Sequence, residues 1–423
     1  MVRQKREKDI SSQNANPAIN NSKQYIGVTA AKGFLAAGIK AGIKKSDNYD
    51  LGCVYSIKDA AVAAVFTTNR FAAAPVLISK NTLKNSNLCR LIIVNSGVAN
   101  ACTGEQGLKS CRLIIEKSSH EFNVPEDRIH LSSTGKIGVQ LPLEKIINNI
   151  SNLKSGLTIN SDNKFVNSIM TTDTFEKKYD TSFKIDNKNV HIGGCSKGAG
   201  MINPNMATML CYITTDVDIK PELLQSALDY AVKRSFNSIT VDGDMSTNDS
   251  VFVLANGMAE NKTIISIEDE DYIKFRDKLT QVCIELAKNI VRDGEGATKF
   301  IQIKIENAGT IEKGKIIADL IANSCLVKTA FFGCDPNWGR IISSVGSAPF
   351  DFAPEKVILS INNAVIFENS SEAEYDIDKL RKIMKNKEIH ITVDMGISPV
   401  EPVIVWTTDL SYDYVKINAE YST

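Results

Sequence analysis

The stretch KGAGMINPNMATMLCYITTDV, residues 197–217, joins a glycine-rich, proline-broken loop to an apolar run. The run MLCYI, residues 209–213, is short and continuous, which predicts a buried strand. Thr208 stands where the loop meets this strand, directly after the small residue Ala207. Similar runs predict further strands at residues 61–69, 88–97, 250–257, 299–307, 388–396 and 402–410.

Two longer segments carry a helical repeat of apolar residues. Residues 221–236 begin with a proline that suits a first helical turn, and residues 271–291 repeat apolar side chains every three or four positions. Residues 356–367 predict a hairpin that turns near Asn362 and Asn363. Helices and strands intermingle along the chain, which is typical of an α/β fold with layered sheets and helices. Because 423 residues exceed the size of one core, about 250 to 300 residues, we expect two lobes.

The charge of the chain is balanced. Its 49 basic and 49 acidic residues give it no overall attraction to nucleic acid or to an anionic membrane, so we expect neither partner and a small-molecule substrate instead. The nine cysteines are odd in number and form no C-x-x-C pair, which favours a reducing, cytoplasmic location. No run approaches the roughly 18 apolar residues of a membrane-spanning helix, and residues 1–23 predict a polar, disordered tail.

The region before Thr208 is rich in glycine. A helix-like segment and a polar strand pair lead into a predicted loop. This loop contains Gly193, Gly194, Gly198, Gly200 and Pro204. Glycine permits backbone paths that side chains forbid, and functional groups are often carried on such loops. We therefore expect the chemistry of the protein in this region.

The same region matches a serine hydrolase motif. GCSKG, residues 194–198, fits the G-x-S-x-G nucleophile elbow and would make Ser196 the nucleophile. The residues after it cannot form the helix that this motif requires, and His390 is the one histidine downstream that could complete a triad. No G-x-x-x-x-G-K-[ST] phosphate loop is present, and the four histidines lack paired ligand spacing, so no metal site is predicted. A Ser196 hydrolase remains an alternative.

Thr208 offers a different chemistry if the bond before it is cut. Its hydroxyl is a poor nucleophile without a base, but cleavage would create an α-amino group with a pKa of about 7.7 to 8. One residue would then supply both nucleophile and base. The hydroxyl could also make the cut, by attacking the carbonyl of Ala207, moving the acyl group from nitrogen to oxygen and leaving an ester for water to hydrolyse. Small Ala207 and the nearby glycines leave room for that attack.

The sequence around Thr208 resembles the core signature of the ornithine acetyltransferase family of arginine biosynthesis, the self-cleaving glutamate N-acetyltransferases. Further matches cover nearly the whole chain after its first two dozen residues. They are GVTAAKGFLAAGIKAGIKKS, VFTTNRFAAAPV, NSGVANACTGEQG, SSTGKIG, IMTTDTFEK, SITVDGDMSTND, DGEGATKF, GCDPNWGRI and the terminal NAEYST. The resemblance implies an Ntn-like α/β sandwich with its site between two lobes. It also implies self-cleavage into an α chain, residues 24–207, and a β chain, residues 208–423, assembled as α2β2.

The family implies roles for particular residues. Thr208 resembles the nucleophile, released when the bond from Ala207 breaks, and Thr134 and Gly135 in SSTGKIG resemble an oxyanion hole made of a hydroxyl and a backbone N–H. The residues that resemble substrate contacts are Thr171, Lys197, Thr208, Glu295, Asn418 and Thr423. Our own hypothesis is that Lys197 meets a carboxylate and Glu295 a cationic amine, such as the side chain of ornithine.

The reaction implied is acetyl transfer by a ping-pong route. Thr208 would take acetyl from N2-acetylornithine, release ornithine and pass the group to glutamate. No metal or organic cofactor is expected, because the intermediate is an ester on the protein, and acetyl-coenzyme A is a candidate second acetyl donor. Besides the Ser196 hydrolase, a catalytically inactive amino-acid-binding relative remains an alternative.

Overall fold

The computed structural model describes residues 26–203 and 209–420, and these form two β-sheets with helices packed on them. The layered α/β fold expected from the sequence is therefore confirmed. The polar tail predicted for residues 1–23 lies outside the described residues. In the described part of the chain, no helix is both long enough and apolar enough to cross a membrane.

The first sheet has eight strands. They are β1 (Phe34–Ile39), β2 (Leu51–Phe66), β3 (Leu88–Val98), β4 (Ile129–Lys136), β5 (Lys177–Ile185), β6 (Lys188–Lys197), β7 (Leu210–Thr215) and β8 (Ser250–Ala255). The strand order is β4-β3-β2-β8-β7-β6-β5, with β1 paired to β2 outside this path. The central strands β7 and β8 run parallel and are buried along their whole length, as the run at 209–213 predicted.

The second sheet has six strands. They are β9 (Phe300–Ala308), β10 (Ile358–Ile361), β11 (Ala364–Glu368), β12 (Ser371–Glu372), β13 (Glu388–Ser398) and β14 (Val403–Thr408), in the order β12-β11-β10-β13-β9-β14. β10 and β11 form the predicted hairpin. Its turn residues Asn362 and Asn363 both have positive φ, a conformation that asparagine tolerates better than most residues.

Twelve helices complete the described part of the chain. They are α1 (Ala74–Asn85), α2 (Gly104–Phe122), α3 (Leu143–Ile147), α4 (Ile150–Ser155), α5 (Asp162–Ile169), α6 (Pro221–Lys233), α7 (Glu270–Arg292), α8 (Ile311–Ala322), α9 (Cys325–Phe332), α10 (Trp338–Gly346), α11 (Ile377–Met384) and α12 (Tyr412–Glu420). Helices α6 and α7 confirm the two helical predictions, and α8 packs on β9 and β14 of the second sheet.

Helices cover both faces of the first sheet. Cys211 and Ile213 of β7 enter a core with α6 and α7, whereas Leu210 and Tyr212 enter another with α1 and α5. This alternation follows from the two-residue period of a strand, which sends successive side chains to opposite faces. The strand that follows Thr208 is therefore fixed from both sides.

The glycine-rich region differs from the prediction at one point. Gly193 and Gly194, expected in the loop, lie inside β6, which continues to Lys197. A Cβ on Gly193 would lie 2.2 Å from the backbone oxygen of Gly27, so glycine serves here to let the 3₁₀ turn at Gly27–Thr29 pack against the strand. The loop proper begins at Gly198.

The proposed cleavage point does not coincide with a boundary between sheets. β6, which precedes it, and β7, which follows it, are antiparallel neighbours in one sheet, with Lys197 opposite Leu210. Residues 24–207 and 208–423 would therefore share the first sheet after cleavage. The division into those two chains stays a prediction.

Candidate active site

Thr134 and Gly135 lie near the end of β4, where two strands approach closely. Thr134 is 3% exposed. Gly135 has φ +129°, and a Cβ there would lie 2.3 Å from the carbonyl carbon of Gly97 on β3. A side chain at Gly135 is excluded both by this contact and by the backbone angle. The strand end thus offers a hydroxyl and an unshielded peptide unit side by side.

Lys197 is the last residue of β6, and its amine points at two threonine hydroxyls. Nζ lies 3.0 Å from Thr134 Oγ1 and 3.1 Å from Thr171 Oγ1. The lysine is 2% exposed, and burial lowers its pKa from the ordinary value because an ammonium loses its hydration there. The buried amine of Lys197 is therefore held directly beside the Thr134 hydroxyl.

A buried ion-pair network lies next to this lysine. Lys177 on β5 is fully buried and pairs with Asp173 at 2.6 Å and with Asp293. Asp173 also accepts the backbone N–H of Thr171 at 2.9 Å and that of Gly198 at 2.8 Å. Burial alone would raise the pKa of Asp173, but the charges of Lys177 and Lys197 outweigh it and lower the pKa to about 2. Asp173 is thus an anion that fixes two loops.

Glu295 and Asn418 form the other polar side of the site. Asn418 on α12 donates its Nδ2–H to Glu295 Oε2 at 3.0 Å. The backbone N–H of Glu295 donates to the carbonyl of Ala199 at 2.9 Å. A Cβ on Gly200 would lie 2.3 Å from Glu295 Oε2, so the carboxylate rests directly on the backbone of the glycine-rich loop. The last helix and the loop before the proposed cleavage point meet at this carboxylate.

One open pocket is lined by residues from both polar sides of the site. Its cavity volume is about 90 Å³. Among its lining residues are six that the sequence singled out, namely Thr134, Gly135, Thr171, Lys197, Glu295 and Asn418. The structure thus brings together residues from five separate segments of the chain. Thr423, the seventh candidate, lies outside the described residues.

Ala207 and Thr208 also lie outside the described residues, in the gap at 204–208. The chain on both sides of this gap is held by carboxylates. Asp242 accepts the backbone N–H groups of Met201 at 2.7 Å and Ile202 at 2.9 Å. Asp249 accepts the N–H of Met209, the residue after Thr208, at 2.9 Å.

Asp249 is an unusual carboxyl group because it is fully buried. Burial raises its pKa to about 8, although the Met209 N–H and the charge of Lys197 act in the opposite direction. Its Oδ2 atom is buried and has no hydrogen-bond partner among residues 26–203 and 209–420. A carboxyl whose pKa is raised to about 8 therefore binds the backbone of Met209, the residue that follows the proposed nucleophile in the chain.

The hydrolase alternative for Ser196 is wrong. Ser196 lies within β6 and is fully buried, and its hydroxyl donates to the carbonyl of Leu286 on α7 at 3.4 Å. A nucleophile elbow requires an exposed serine between a strand and a helix, whereas the next described helix is α6, which begins at Pro221. His390 lies on β13 of the second sheet. Across the described residues, no group of three or more His, Cys, Asp or Glu could hold a metal ion.

Several polar residues of the site were not singled out from the sequence. They are Asp173, Lys177, Asp242, Asp249 and Asp293. All five occur in the quoted segments IMTTDTFEK, SITVDGDMSTND and DGEGATKF, but a charged residue in a polar segment is usually exposed, so nothing local marked them as buried. Only the folded chain shows which charges meet.

The chain is similar over almost its whole length to known proteins. The ArgJ family model matches residues 35–423. The arginine biosynthesis bifunctional protein ArgJ of Listeria monocytogenes is 43% identical over 396 residues, covering 94% of this chain and 98% of the relative. The protein of the same name from Streptococcus thermophilus is 43% identical over 397 residues, with coverage of 94% and 98%.

Two solved structures also match parts of the chain. The crystal structure of the arginine biosynthesis bifunctional protein ArgJ of Bacillus halodurans is 39% identical, covers 49% of this chain and 97% of that chain, and has a TM-score of 0.47. The structure of ornithine acetyltransferase from Mycobacterium tuberculosis in complex with ornithine is 31% identical, covers 43% of this chain and 96% of that chain, and has a TM-score of 0.38.

Proposed function

Because the chain belongs to the ArgJ family, we propose that it moves an acetyl group from N2-acetylornithine to glutamate through an ester on Thr208. The protein is an acyltransferase of arginine biosynthesis. The observation that supports the detailed proposal most strongly is the pocket in which Thr134, Gly135, Lys197 and Glu295 lie together. These residues come from distant parts of the sequence. Thr134 and Gly135 offer the donors of an oxyanion hole, and Lys197 and Glu295 offer charged groups for an amino-acid substrate.

The chemistry begins with self-cleavage between Ala207 and Thr208. The new α-amino group of Thr208 takes the proton of its own hydroxyl, which attacks the acetyl carbonyl of the donor. The negative oxygen that forms is stabilised by the Thr134 hydroxyl and the Gly135 N–H. Ornithine leaves as the amine, carrying the transferred proton, and the ester remains on Thr208. Glutamate then enters, and its amine removes the acetyl group by the same steps in reverse.

The charges of the pocket match the two substrates. Glu295, held by the Asn418 amide, is an anionic group for the side-chain ammonium of acetylornithine. Both substrates carry the α-carbon and carboxylate of an amino acid, so one pocket can receive them in turn. A Glu295→Gln variant should lose affinity for acetylornithine, because a neutral amide attracts an ammonium less. Unchanged binding of acetylornithine by that variant would remove this assignment.

A second activity is acetylation of glutamate by acetyl-coenzyme A. The curated relatives are named bifunctional, which favours this second donor. We further propose an α2β2 assembly and a cytoplasmic location, the latter supported by nine cysteines that are all free. Incubation of the enzyme with glutamate and acetyl-coenzyme A should yield N-acetylglutamate without acetylornithine. Absence of that product, in a preparation that uses acetylornithine, would leave the first activity alone.

The main test is the fate of an isotope-labelled acetyl group. With labelled N2-acetylornithine and unlabelled glutamate, the wild type should place the label in N-acetylglutamate, with little free acetate. Thr208→Ala should remain one chain and transfer nothing, whereas Ser196→Ala should retain cleavage and transfer. If the wild type stays uncleaved and transfers nothing, the inactive amino-acid-binding alternative holds instead.

A further inference from the structure

The amine of Lys197 makes hydrogen bonds to two hydroxyl groups. An ammonium has three N–H donors and no acceptor, so in its contacts with Thr134 Oγ1 and Thr171 Oγ1 the lysine donates and both hydroxyls accept. At most one N–H of Lys197 remains for any other group. This geometry differs from that of a lysine left free to bind a substrate carboxylate.

The contact with Lys197 limits where the Thr134 hydroxyl can donate its own proton. A hydroxyl has one proton to donate, and Thr134 cannot donate it to an ammonium that is already donating to the same oxygen. In the part of the chain that the structure describes, Lys197 is the only hydrogen-bond partner of Thr134 Oγ1. The Thr134 proton is therefore left for a group in the pocket. A cation on the oxygen also polarises the O–H bond and makes it a stronger donor.

The position of Lys197 is itself fixed by a buried anion. Asp173 accepts the N–H of Gly198, which follows Lys197, and the N–H of Thr171, the second partner of the amine. Asp173 is held in turn by Lys177, whose side chain is fully buried between Asp173 and Asp293. Two residues that the amine depends on, Gly198 and Thr171, are thus tied to one carboxylate.

We propose that Lys197 is a positioning residue of the oxyanion hole that acts through Thr134. It orients the Thr134 hydroxyl and strengthens it as a donor to the negative oxygen of the acyl-transfer transition state. This inference rests on the proposed function, because it takes Thr134 as the oxyanion donor. This role is separate from a contact with the carboxylate of the substrate, for which one N–H of Lys197 remains.

The first test uses an acetyl donor that has no carboxylate. With p-nitrophenyl acetate, Lys197→Met should acetylate itself about 10²-fold more slowly than the wild type, the usual effect of losing an oxyanion donor, and its kcat with acetylornithine should fall similarly. If Lys197 only bound a carboxylate, the variant would react normally with p-nitrophenyl acetate and show a raised KM for acetylornithine. That result would overturn the inference.

Lys44→Met is the matched control for loss of a nearby positive charge. The Lys44 amine lies close enough to Lys197 for the charge of Lys197 to contribute to lowering the pKa of Lys44, yet the amine donates to the backbone carbonyls of Tyr49 and Met170. The Lys44→Met variant should react with p-nitrophenyl acetate at close to the wild-type rate. A loss as large as that of Lys197→Met would mean that general electrostatics, and not the contact with Thr134, causes the effect.

The second test is a double-mutant cycle with Thr134→Val. If Lys197 acts through Thr134, then Lys197→Met should have little further effect on kcat once the Thr134 hydroxyl is gone. Independent, multiplying losses would contradict the inference. Rates are divided by the cleaved fraction measured by mass spectrometry. Should Lys197→Met stay uncleaved, the same cycle is run with Lys197→Arg, which keeps the positive charge but replaces the compact ammonium by a larger, planar guanidinium.

Acetylation of Thr208 and the role of Lys197 are measured separately. The cycle is interpreted after the wild type has been shown to carry acetyl on Thr208. A wild type that never acquires acetyl there contradicts the proposed function itself. A wild type that does so, together with multiplying losses in the cycle, contradicts only the role of Lys197.

Discussion

Two buried aspartates near the pocket have opposite electrostatic environments. Asp173 faces Lys177 and Lys197, and its pKa is lowered to about 2 despite burial. Asp249 has the charge of Lys197 nearby but no bonded cation, and burial raises its pKa to about 8. Neighbouring lysines therefore compensate for the cost of burying a charge at Asp173, but that cost is not compensated at Asp249. The contributions of the two residues to protein stability should therefore change with pH in opposite directions.

Asp173→Asn should destabilise the protein by about 3 to 5 kcal/mol near neutral pH, because it removes one partner of a buried pair. A carboxyl whose pKa is lowered on folding contributes stability above its unfolded pKa of about 4 and loses it as pH falls towards 2. The difference between wild type and variant should therefore shrink from about pH 6 to about pH 3. Denaturant unfolding measures this difference, and one that stays constant over that range contradicts the pairing.

Asp249→Asn should change the pH dependence of stability in the other direction. A carboxyl whose pKa is raised on folding costs stability as pH rises from about 4, its unfolded pKa, to its folded pKa. Asparagine has no such cost, so the melting temperature of the variant relative to wild type should rise between about pH 5 and about pH 8. The exposed Asp351 provides the control variant Asp351→Asn, which should show no such trend. A flat difference for Asp249→Asn would show that its carboxyl ionises normally.

Gly200→Ala should affect substrate binding more than stability. The new methyl group would meet the end of the flexible Glu295 side chain, which can move aside at low cost but then leaves its place beside Asn418. We expect the KM for acetylornithine to rise about tenfold, as for loss of a hydrogen bond to a charged group. Gly346→Ala is the control, since a Cβ there meets nothing within 4 Å. An unchanged KM in Gly200→Ala would place the ornithine side chain away from Glu295.

At the scale of the element, the sequence predicts most strands of the two sheets and the helices α6 and α7. The run at 209–213 and the repeats at 221–236 and 271–291 follow periods set by local backbone geometry, so they can be recognised without the fold. Gly193 and Gly194 were misplaced because a glycine pair resembles a loop, whereas here it marks the close approach of Gly27, a distant residue. Local pattern cannot reveal a contact of that kind.

The site was predictable only in part, for a related reason. Thr134, Lys197 and Glu295 were singled out through resemblance to a family, since a single threonine, lysine or glutamate has no local signature. The carboxylates that organise them, such as Asp173 and Asp249, could not be separated from surface charges. Burial and pairing depend on which segments pack together, and that information resides in the whole fold.

At the scale of the whole molecule, the first sheet should keep the two cleaved chains together. β6 lies on one side of the proposed cleavage point and β7 on the other, and they pair along six residues with Lys197 opposite Leu210. The α and β chains should therefore co-elute in size-exclusion chromatography and separate only in denaturant. Separation in native buffer would contradict the shared sheet.

The pocket draws on both parts of the molecule. Thr134 and Lys197 belong to the first sheet, whereas Asn418 belongs to α12, which follows the last strand of the second sheet. Asn418 reaches the first part of the molecule through its contact with Glu295. Acetyl transfer should therefore depend on correct packing between the two sheet regions as well as on Thr208.

The most direct test of the account is to locate the acetyl group on the protein. Enzyme mixed with N2-acetylornithine in the absence of glutamate is quenched in acid, digested and mapped by mass spectrometry. We predict a β chain that begins at Thr208 and carries one acetyl group on that residue, which is lost when glutamate is added before quenching. An active enzyme with an intact bond between Ala207 and Thr208, or with the acetyl group on another residue, would contradict the account.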